Sequence, residues 1–370
     1  MPPERRVLVL ASKPRGMSPS QRYRFEQWAP HLERDHGIIL DFAPFESEAL
    51  ARLLHRPGHI AGKAILTLRD YVRRSRIVRR AGAYDAIVIH REAALIGPAI
   101  YERLLARCGI PIVYDFDDSI WSPGQAWKNG WFSRLHCPGK TSTICRLADA
   151  VTVGNEYLAD YARRRNPSVS IIPSSIELAE YPALPEAGDD KFVVCWTGSV
   201  STLVHFEHAR PILERLAAQI PLVVKVICSE PPARPIAGAE MRFVQWSADG
   251  EAAAVGDCHV GIMPLPDDDV SRGKGAMKAL QYMATGRPVV LSPVGVNAEI
   301  IRNGENGFLA WTDDQWVDAL RMLARDPALR SNLCNRARAT VERGFSAEIS
   351  AAKFAIALTR CIDHFEKRAS

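Results

Sequence analysis

The stretch from Asp257 to Ala310 constrains the fold of this chain more than any other. An apolar run, Cys258-His-Val-Gly-Ile-Met-Pro264, leads into a charged glycine loop, Arg272-Gly-Lys-Gly275. A short helical pattern follows, then a second apolar run, Pro288-Val-Val-Leu291, and a turn at Gly295. Strand, loop, helix and strand in such quick order build a doubly wound parallel sheet, whose ligand groups gather at the carboxyl ends of the strands. Strands of such a sheet are covered on both faces, so they read as continuous apolar runs rather than as an alternation.

The same pattern extends in both directions. In the first half, apolar runs stand at Arg5–Ala11, Gly37–Ala43, Tyr84–His90, Gly109–Asp115, Ala150–Gly154 and Ser168–Pro173. Between them lie helical spacings such as Tyr23, Phe25, Trp28 and Leu32, for which Ser20 reads as the N-cap, and one long helical stretch over 47–80. Residues 174–190 are rich in proline and acids and read as a linker. The pattern then restarts at Lys191–Val200, Leu222–Cys228 and Met241–Trp246. A length of 370 residues suits about two domains. We therefore expect an α/β protein of two Rossmann-like, doubly wound domains facing across a cleft. They span residues 1–185 and 190–345, and a last helix over 346–370 crosses back to the first.

Charge and cysteine usage narrow the function. The net charge is only +5 and acidic residues are spread along the chain, which argues against a nucleic-acid partner. Eight cysteines form no Cys-x-x-Cys pair, and Cys195 and Cys228 lie in apolar strands, where a reduced thiol acts as a small hydrophobe. The chain starts almost at once on a strand, with no apolar signal region, and no window of about 18 residues is apolar enough to span a bilayer. A cytoplasmic setting is expected, with peripheral contact at the inner face of the cell membrane as a further expectation. The latter rests on Arg69, Arg73, Arg74, Arg76, Arg79 and Arg80, interleaved with apolar residues on one helix. A solvated face on a core helix would read the same way.

Several groups carry candidate chemistry. Asp115-Phe-Asp-Asp118 sets three carboxylates just past a strand, which is costly unless a metal, an arginine cluster or substrate hydroxyls compensate them. An N-cap with dipole partners is the plainer reading. Trp121, Trp127 and Trp131 follow, suited to stacking on sugar rings or to core packing. Arg22 and Arg24 either face a ligand or form a solvated helix start. In the second half, Gly198 and Ser199 form a turn that opens a helix and offers backbone amides to an anion. Arg272, Lys274 and Lys278 supply positive charge beside it.

These motifs, in this order, resemble the GT-B glycosyltransferases of the large retaining family four (group 1). The resemblance rests on Gly261-Ile-Met-Pro-Leu265, Lys278-Ala-Leu-Gln-Tyr-Met-Ala-Thr-Gly-Arg-Pro-Val-Val290, Ser292-Pro-Val-Gly295, Glu299-Ile-Ile301 and Gly304-Glu-Asn-Gly-Phe-Leu309. It implies a UDP- or GDP-sugar donor on the second domain, an acceptor hydroxyl on the first, transfer with retention, and no metal or other cofactor. Lys274 and Lys278 would neutralise the leaving diphosphate with Arg272, while Asp117 and Asp118 would orient hydroxyls. Gly295, Val296 and Asn297 would bring backbone to the donor, and Glu299 matches the family's donor-contacting acid. The family's two glutamates, seven residues apart, are replaced by Gly273 and Gln281. Gln281 can still bond a ribose hydroxyl. Asp267, Asp268 or Asp269 are candidates for the other role.

The expected activity is sugar transfer to a sugar, lipid-linked or small-molecule acceptor, in glycan or cell-envelope polysaccharide, glycolipid or glycosylated metabolite synthesis. The alternatives are a catalytically silent nucleotide-sugar-binding or scaffold protein, prompted by the missing glutamates, and a nucleotide-sugar epimerase.

Overall fold

A computed structural model describes residues 4–54, 56–122, 137, 139–185, 187–188 and 190–369. It divides into two compact units. The first comprises residues 1–174 and 347–370, the second residues 175–346.

Unit 1 is built on six parallel strands: β1 (Arg5–Ala11), β2 (Ile38–Pro44), β3 (Ala86–His90), β4 (Ile112–Phe116), β5 (Ala150–Val153) and β6 (Val169–Ile171). Their order is β2-β1-β3-β4-β5-β6, so the winding reverses between β1 and β3, where such sheets open a ligand crevice. β3 and β4 are buried at every position, as strands covered on both faces must be. One face packs Leu8, Leu10, Ile87, Tyr114 and Phe116. The other packs Val7, Val9, Phe25 and Trp28 against Phe354 and Leu358 of the last helix, Ala347–Ala369. Phe25 meets Phe354 edge-on with ring centroids 5.3 Å apart. A late segment of the chain thus completes the core of the early unit.

Unit 2 contributes β7 (Phe192–Thr197), β8 (Leu222–Cys228), β9 (Glu240–Gln245), β10 (Val260–Met263), β11 (Val289–Leu291) and β12 (Phe308–Leu309). All pair in parallel, in the order β12-β11-β10-β7-β8-β9, with the reversal between β7 and β10. The expectation of two doubly wound parallel sheets is met.

Local details differ from the pattern. The single helix read over 47–80 is two helices, Glu48–Leu54 and Ile60–Arg79. Gly58 and His59, both in the left-handed region at φ 73 and 55, turn the chain between them. Trp121 is a packing residue: its ring stacks on Tyr161 at 3.7 Å and 11°. Trp127 and Trp131 lie outside the described residues.

Candidate functional site

Two groups of side chains occupy the carboxyl ends of the two sheets. In unit 1 the group is centred on Asp115, at the end of β4, which is fully buried. Arg24 meets it in a two-pronged pair, Nε to Oδ2 at 2.9 Å and Nη2 to Oδ1 at 2.5 Å, and donates a third bond to Ile172 O at 2.7 Å. Thr152 Oγ1 donates to Asp115 Oδ1 at 2.6 Å, and His90 Nδ1 lies 2.8 Å from Oδ2. A carboxylate only accepts, so that His90 nitrogen carries a proton. On the other side of the ring, Nε2 lies 2.9 Å from Ser20 Oγ.

Arg24 reaches Asp115 because its turn is a π-helix, Arg22–Glu26, set between the helical turn Pro19–Gln21 and the helix Gln27–His36. Such bulges often mark functional positions. The finding corrects two readings. Ser20 lies inside the helical stretch and its hydroxyl turns to His90, while the cap position is Ser18. Arg24 neither faces solvent nor is open to a ligand.

Asp117 and Asp118 come next. Burial works against the ionised carboxyl of Asp117, but Arg91, His90 and Arg24 overcome it and hold its pKa below the usual carboxylate range. Arg91 lies 2.9 Å from Asp117 and 4.0 Å from Asp118. Arg91 takes a left-handed φ of 64, a strained choice for this residue. Its carbonyl accepts the Tyr114 hydroxyl at 2.9 Å, which fixes the turn. Of the ways to compensate three carboxylates, the chain uses arginines. Both aspartates keep some exposure, 10% and 18% of the side chain.

In unit 2 the site begins where β7 ends. Gly198 leaves no room for a side chain: a Cβ would lie 2.5 Å from the Trp196 ring and 2.6 Å from Thr202 Oγ1. Ser199 opens the next turn in a capping box with Thr202, ahead of the helix Leu203–Ala217. Lys278, near the start of the helix Met277–Ala284, places Nζ 5.4 Å from the Trp196 ring centroid. Burial, and then Lys274, lowers its pKa to about 7. Among the described residues no carboxylate pairs with it. His205, from the helix after the turn, joins this group. Burial first, and then Lys274, Lys278 and His208, lowers its pKa to about 4, and its Nδ1 is buried with no partner among the described residues. Trp196, Gly198, His205, Lys274 and Lys278 therefore form one basic corner, with Asp268 close enough to act on His205.

Gly295 has φ 54 and ψ −135, a combination reserved for glycine, and a Cβ there would sit 2.7 Å from the carbonyl oxygen of Arg272. The turn after β11 is thereby pressed onto the basic loop. The Arg272 side chain points to Asp267, at 2.6 and 3.0 Å. Val296 and Asn297 are buried, and Asn297 Nδ2 donates to Ser292 O at 3.0 Å.

Gln281 and Glu299, two more residues of the expected donor set, stand in defined surroundings. Gln281 is 4% exposed and donates to the Tyr181 hydroxyl at 3.1 Å, which in turn donates to Glu251 at 2.7 Å. Glu299 is exposed and lines a separate cavity of about 460 Å³ with Arg302, Arg336 and Arg343. Sequence reasoning missed Tyr282, which straps the end of β7. Its hydroxyl accepts Thr197 N at 2.8 Å and donates to Cys195 O at 3.1 Å. Its ring lies where a Cβ on Gly261 would be, at 2.2 Å, so the glycine of β10 and this tyrosine are a matched pair. His90 was missed as well, although its place at the end of a buried strand could have raised it.

Residues 209–326 match the model of the group 1 glycosyl transferases. A sucrose-phosphate synthase from Thermosynechococcus elongatus superposes with a TM-score of 0.66 at 17% identity, over 98% of this chain and 100% of that one. HepE of Anabaena, in complex with UDP and glucose, gives 0.62 at 15% identity, over 96% and 100%. A glycosyltransferase from Rickettsia africae gives 0.67 at 10% identity, over 98% and 99%. No curated protein matches the chain significantly in sequence. At these identities the solved structures speak for the shared GT-B architecture.

Proposed function

We propose that this chain, a nucleotide-sugar-dependent glycosyltransferase of the GT-B fold with a group 1 segment at residues 209–326, holds a UDP- or GDP-sugar on unit 2 and transfers the sugar with retention. The observation that carries the reading is the corner formed by Trp196, Gly198, His205, Lys274 and Lys278. A desolvated ammonium with no paired carboxylate among the described residues is costly, and a diphosphate would relieve that cost. Lys278 and Lys274 would take up the negative charge that develops on the leaving phosphate. His205, neutral at pH 7, has one ring nitrogen left to donate to a phosphate or sugar oxygen.

In the retaining route the leaving phosphate accepts the acceptor proton on the face from which it departs. The protein then needs only to neutralise charge and to position an alcohol. Asp117 and Asp118, on unit 1, would orient that hydroxyl as hydrogen-bond acceptors.

HepE was solved with UDP and glucose, which makes UDP the first nucleotide to try. Thermal shifts with UDP, GDP, ADP and TDP, followed by turnover of the matching sugars, test the proposal. We expect one nucleotide to raise the melting temperature of the wild type and Lys278→Ala to lose that shift. No shift with any of the four would defeat it. Gly273 and Gln281, at the places of the family's two glutamates, favour a second reading in which the chain binds donor without turning it over. Nucleotide binding with no sugar release would select that reading.

Acceptors in cell-envelope glycan or glycolipid synthesis fit a further feature. On the helix Ile60–Arg79 the apolar side chains Ile65, Leu68 and Val72 are 68%, 67% and 47% exposed, alongside exposed Arg69, Arg76 and Arg79. An apolar stripe edged with arginine suits the inner, anionic face of a membrane. No helix among the described residues is long and apolar enough to cross one. Replacing the three arginines with glutamine should abolish flotation with anionic vesicles, and unchanged flotation counts against the contact.

A further inference from the structure

In unit 1 the groups described so far stand at the carboxyl ends of the strands. The amino ends lie about 20 Å away, the length of the seven-residue strand β1. A second cavity, of about 320 Å³, opens there. Arg5 and Ile38, the first residues of the paired strands β1 and β2, both line it. His36 enters from the last turn of the helix Gln27–His36. The far wall is the last helix, which presents Ala355, Ile356, Thr359 and Arg360. These stand one turn apart in two neighbouring pairs, so they share one face of the helix.

The lining has two chemical halves. Ile38 and Ala355 are buried, and Ile356 is 53% exposed, an isoleucine left open on a helix whose opposite face is core. The other half is basic: Arg5, His36 and Arg360, with no carboxylate in the lining among the described residues. Elsewhere in this protein Arg24, Arg91 and Arg272 are each met by an aspartate. Here the nearest acid in sequence, Asp35, acts on His36 but accepts both of its bonds from Arg34, at 2.7 and 2.6 Å. The Arg5 side chain donates only to the Thr359 hydroxyl, at 3.4 Å. The Arg360 side chain is exposed and makes no hydrogen bond or ion pair among the described residues.

We propose that this cavity binds a small amphiphilic anion, a free molecule with an oxyanion head on one short apolar chain. Each half of the lining selects one half of the ligand. The guanidinium forks of Arg5 and Arg360 match a carboxylate or a phosphate, which accepts two parallel bonds from each. The chain covers Ile38, Ala355 and Ile356 and takes their apolar surface out of water. A bare anion leaves that surface wet, and an apolar amine is repelled by the basic half. The volume is at the small end for ligand sites, which run from about 300 to 1,000 Å³, so it suits one chain and not a two-chain lipid. The inference rests on unit 1 alone and holds whether or not the chain transfers sugar. The ligand sits at the opposite end of the sheet from Asp117 and leaves the acceptor groups untouched.

The test uses the full chain with octanoate, octyl phosphate, octylamine and acetate, each below any micellar concentration and titrated by saturation-transfer NMR. We expect octanoate or octyl phosphate to bind, the tighter of the two naming the head, and acetate and octylamine to bind at least tenfold more weakly. Arg360→Gln should weaken the anion by about tenfold and Ile356→Glu should abolish its binding, with both variants melting as wild type does. Binding of neither anion, or equal binding of octanoate and octylamine, would overturn the proposal. So would loss of the anion in Arg76→Gln but not in Arg360→Gln, which would move it to the helix Ile60–Arg79. Loss of flotation with anionic vesicles in Arg360→Gln would replace the free ligand with a bilayer. A wild type that sediments as a dimer and becomes a monomer in Ile356→Glu would replace it with a second copy of the chain.

Discussion

At the end of the unit 1 sheet, Arg24 lies against Asp115 and Arg91 against Asp117, and each carboxylate is held in its ionised form by a cation in contact. At the end of the unit 2 sheet, Lys278 has no such carboxylate among the described residues, and its neighbours Lys274 and His205 are basic too. Both corners sit at the carboxyl ends of parallel strands and both bury charge. The contrast separates two uses of buried charge. Opposite charges in contact build a framework. A desolvated ammonium beside another cation costs stability, and an anion would offset that cost.

The largest expected effect comes from unbalancing the framework. Arg24→Met leaves Asp115 buried with Thr152 and His90 as its named partners, and removing one member of a buried pair costs about 3–5 kcal/mol. Trp28, whose ring lies 5.0 Å from the Arg24 guanidinium, reports the change in urea unfolding followed by fluorescence. The double variant Arg24→Met/Asp115→Leu should regain part of the loss. If the single variant unfolds within about 1 kcal/mol of wild type, the pair is not a framework and the contrast with unit 2 fails.

The two corners were unequally legible in the sequence, for physical reasons. Buried parallel strands announce themselves locally, because both faces must be apolar. Hence β1, β3, β4, β7 and β8 could be placed within a few residues. The basic loop was legible because glycine and lysine spacing is also local. What could not be read was pairing across the chain. Arg24 and Asp115 are 91 residues apart and meet only because the winding of the sheet brings β4 beneath the π-turn. Ser20 looked like a cap because nothing nearby names His90, 70 residues on, as its partner. Gln281 sat in a motif position, yet its direction was decided by Tyr181, 100 residues earlier. The cavity at the amino ends of β1 and β2 has no sequence signal either, since the segments that line it meet only in the fold.

A smaller effect sharpens the unit 2 side. Gly295 and Gly304 both have positive φ, 54 and 79, but only at Gly295 would a Cβ strike the backbone of the basic loop. Gly304→Ala should cost about 1 kcal/mol, the left-handed penalty alone. Gly295→Ala should cost about 1–3 kcal/mol and also lower donor affinity, because relief of the 2.7 Å contact displaces Arg272 and with it Lys274. Calorimetric melting and nucleotide titration of the two variants measure the difference. Equal donor affinities would show that the turn and the loop are not coupled.

The smallest effect bears most directly on why Lys278 has no paired carboxylate among the described residues. In the folded chain burial, and then Lys274, lowers its pKa to about 7, from 10.5 for an ordinary lysine. A lowered pKa on a base means that the unfolded chain holds more protons between those values. Stability from this residue is therefore lost below about pH 7 and rises with pH across the window. Lys278→Met should flatten that rise and raise the melting temperature at neutral pH while removing donor affinity. Donor binding runs the other way. The diphosphate of a nucleotide sugar is ionised throughout, and it favours the charged ammonium, so binding draws a proton onto Lys278. Affinity should fall as pH climbs above 7, by at most about tenfold per unit. His205 titrates near 4 and stays out of this window. Lys278→Arg keeps its charge at all these pH values and should bind donor with little pH dependence. Titrations in buffers of different ionisation enthalpy count the proton directly, and a wild type that takes up none on binding would mean that the ammonium is already charged and the corner is compensated like its counterpart in unit 1.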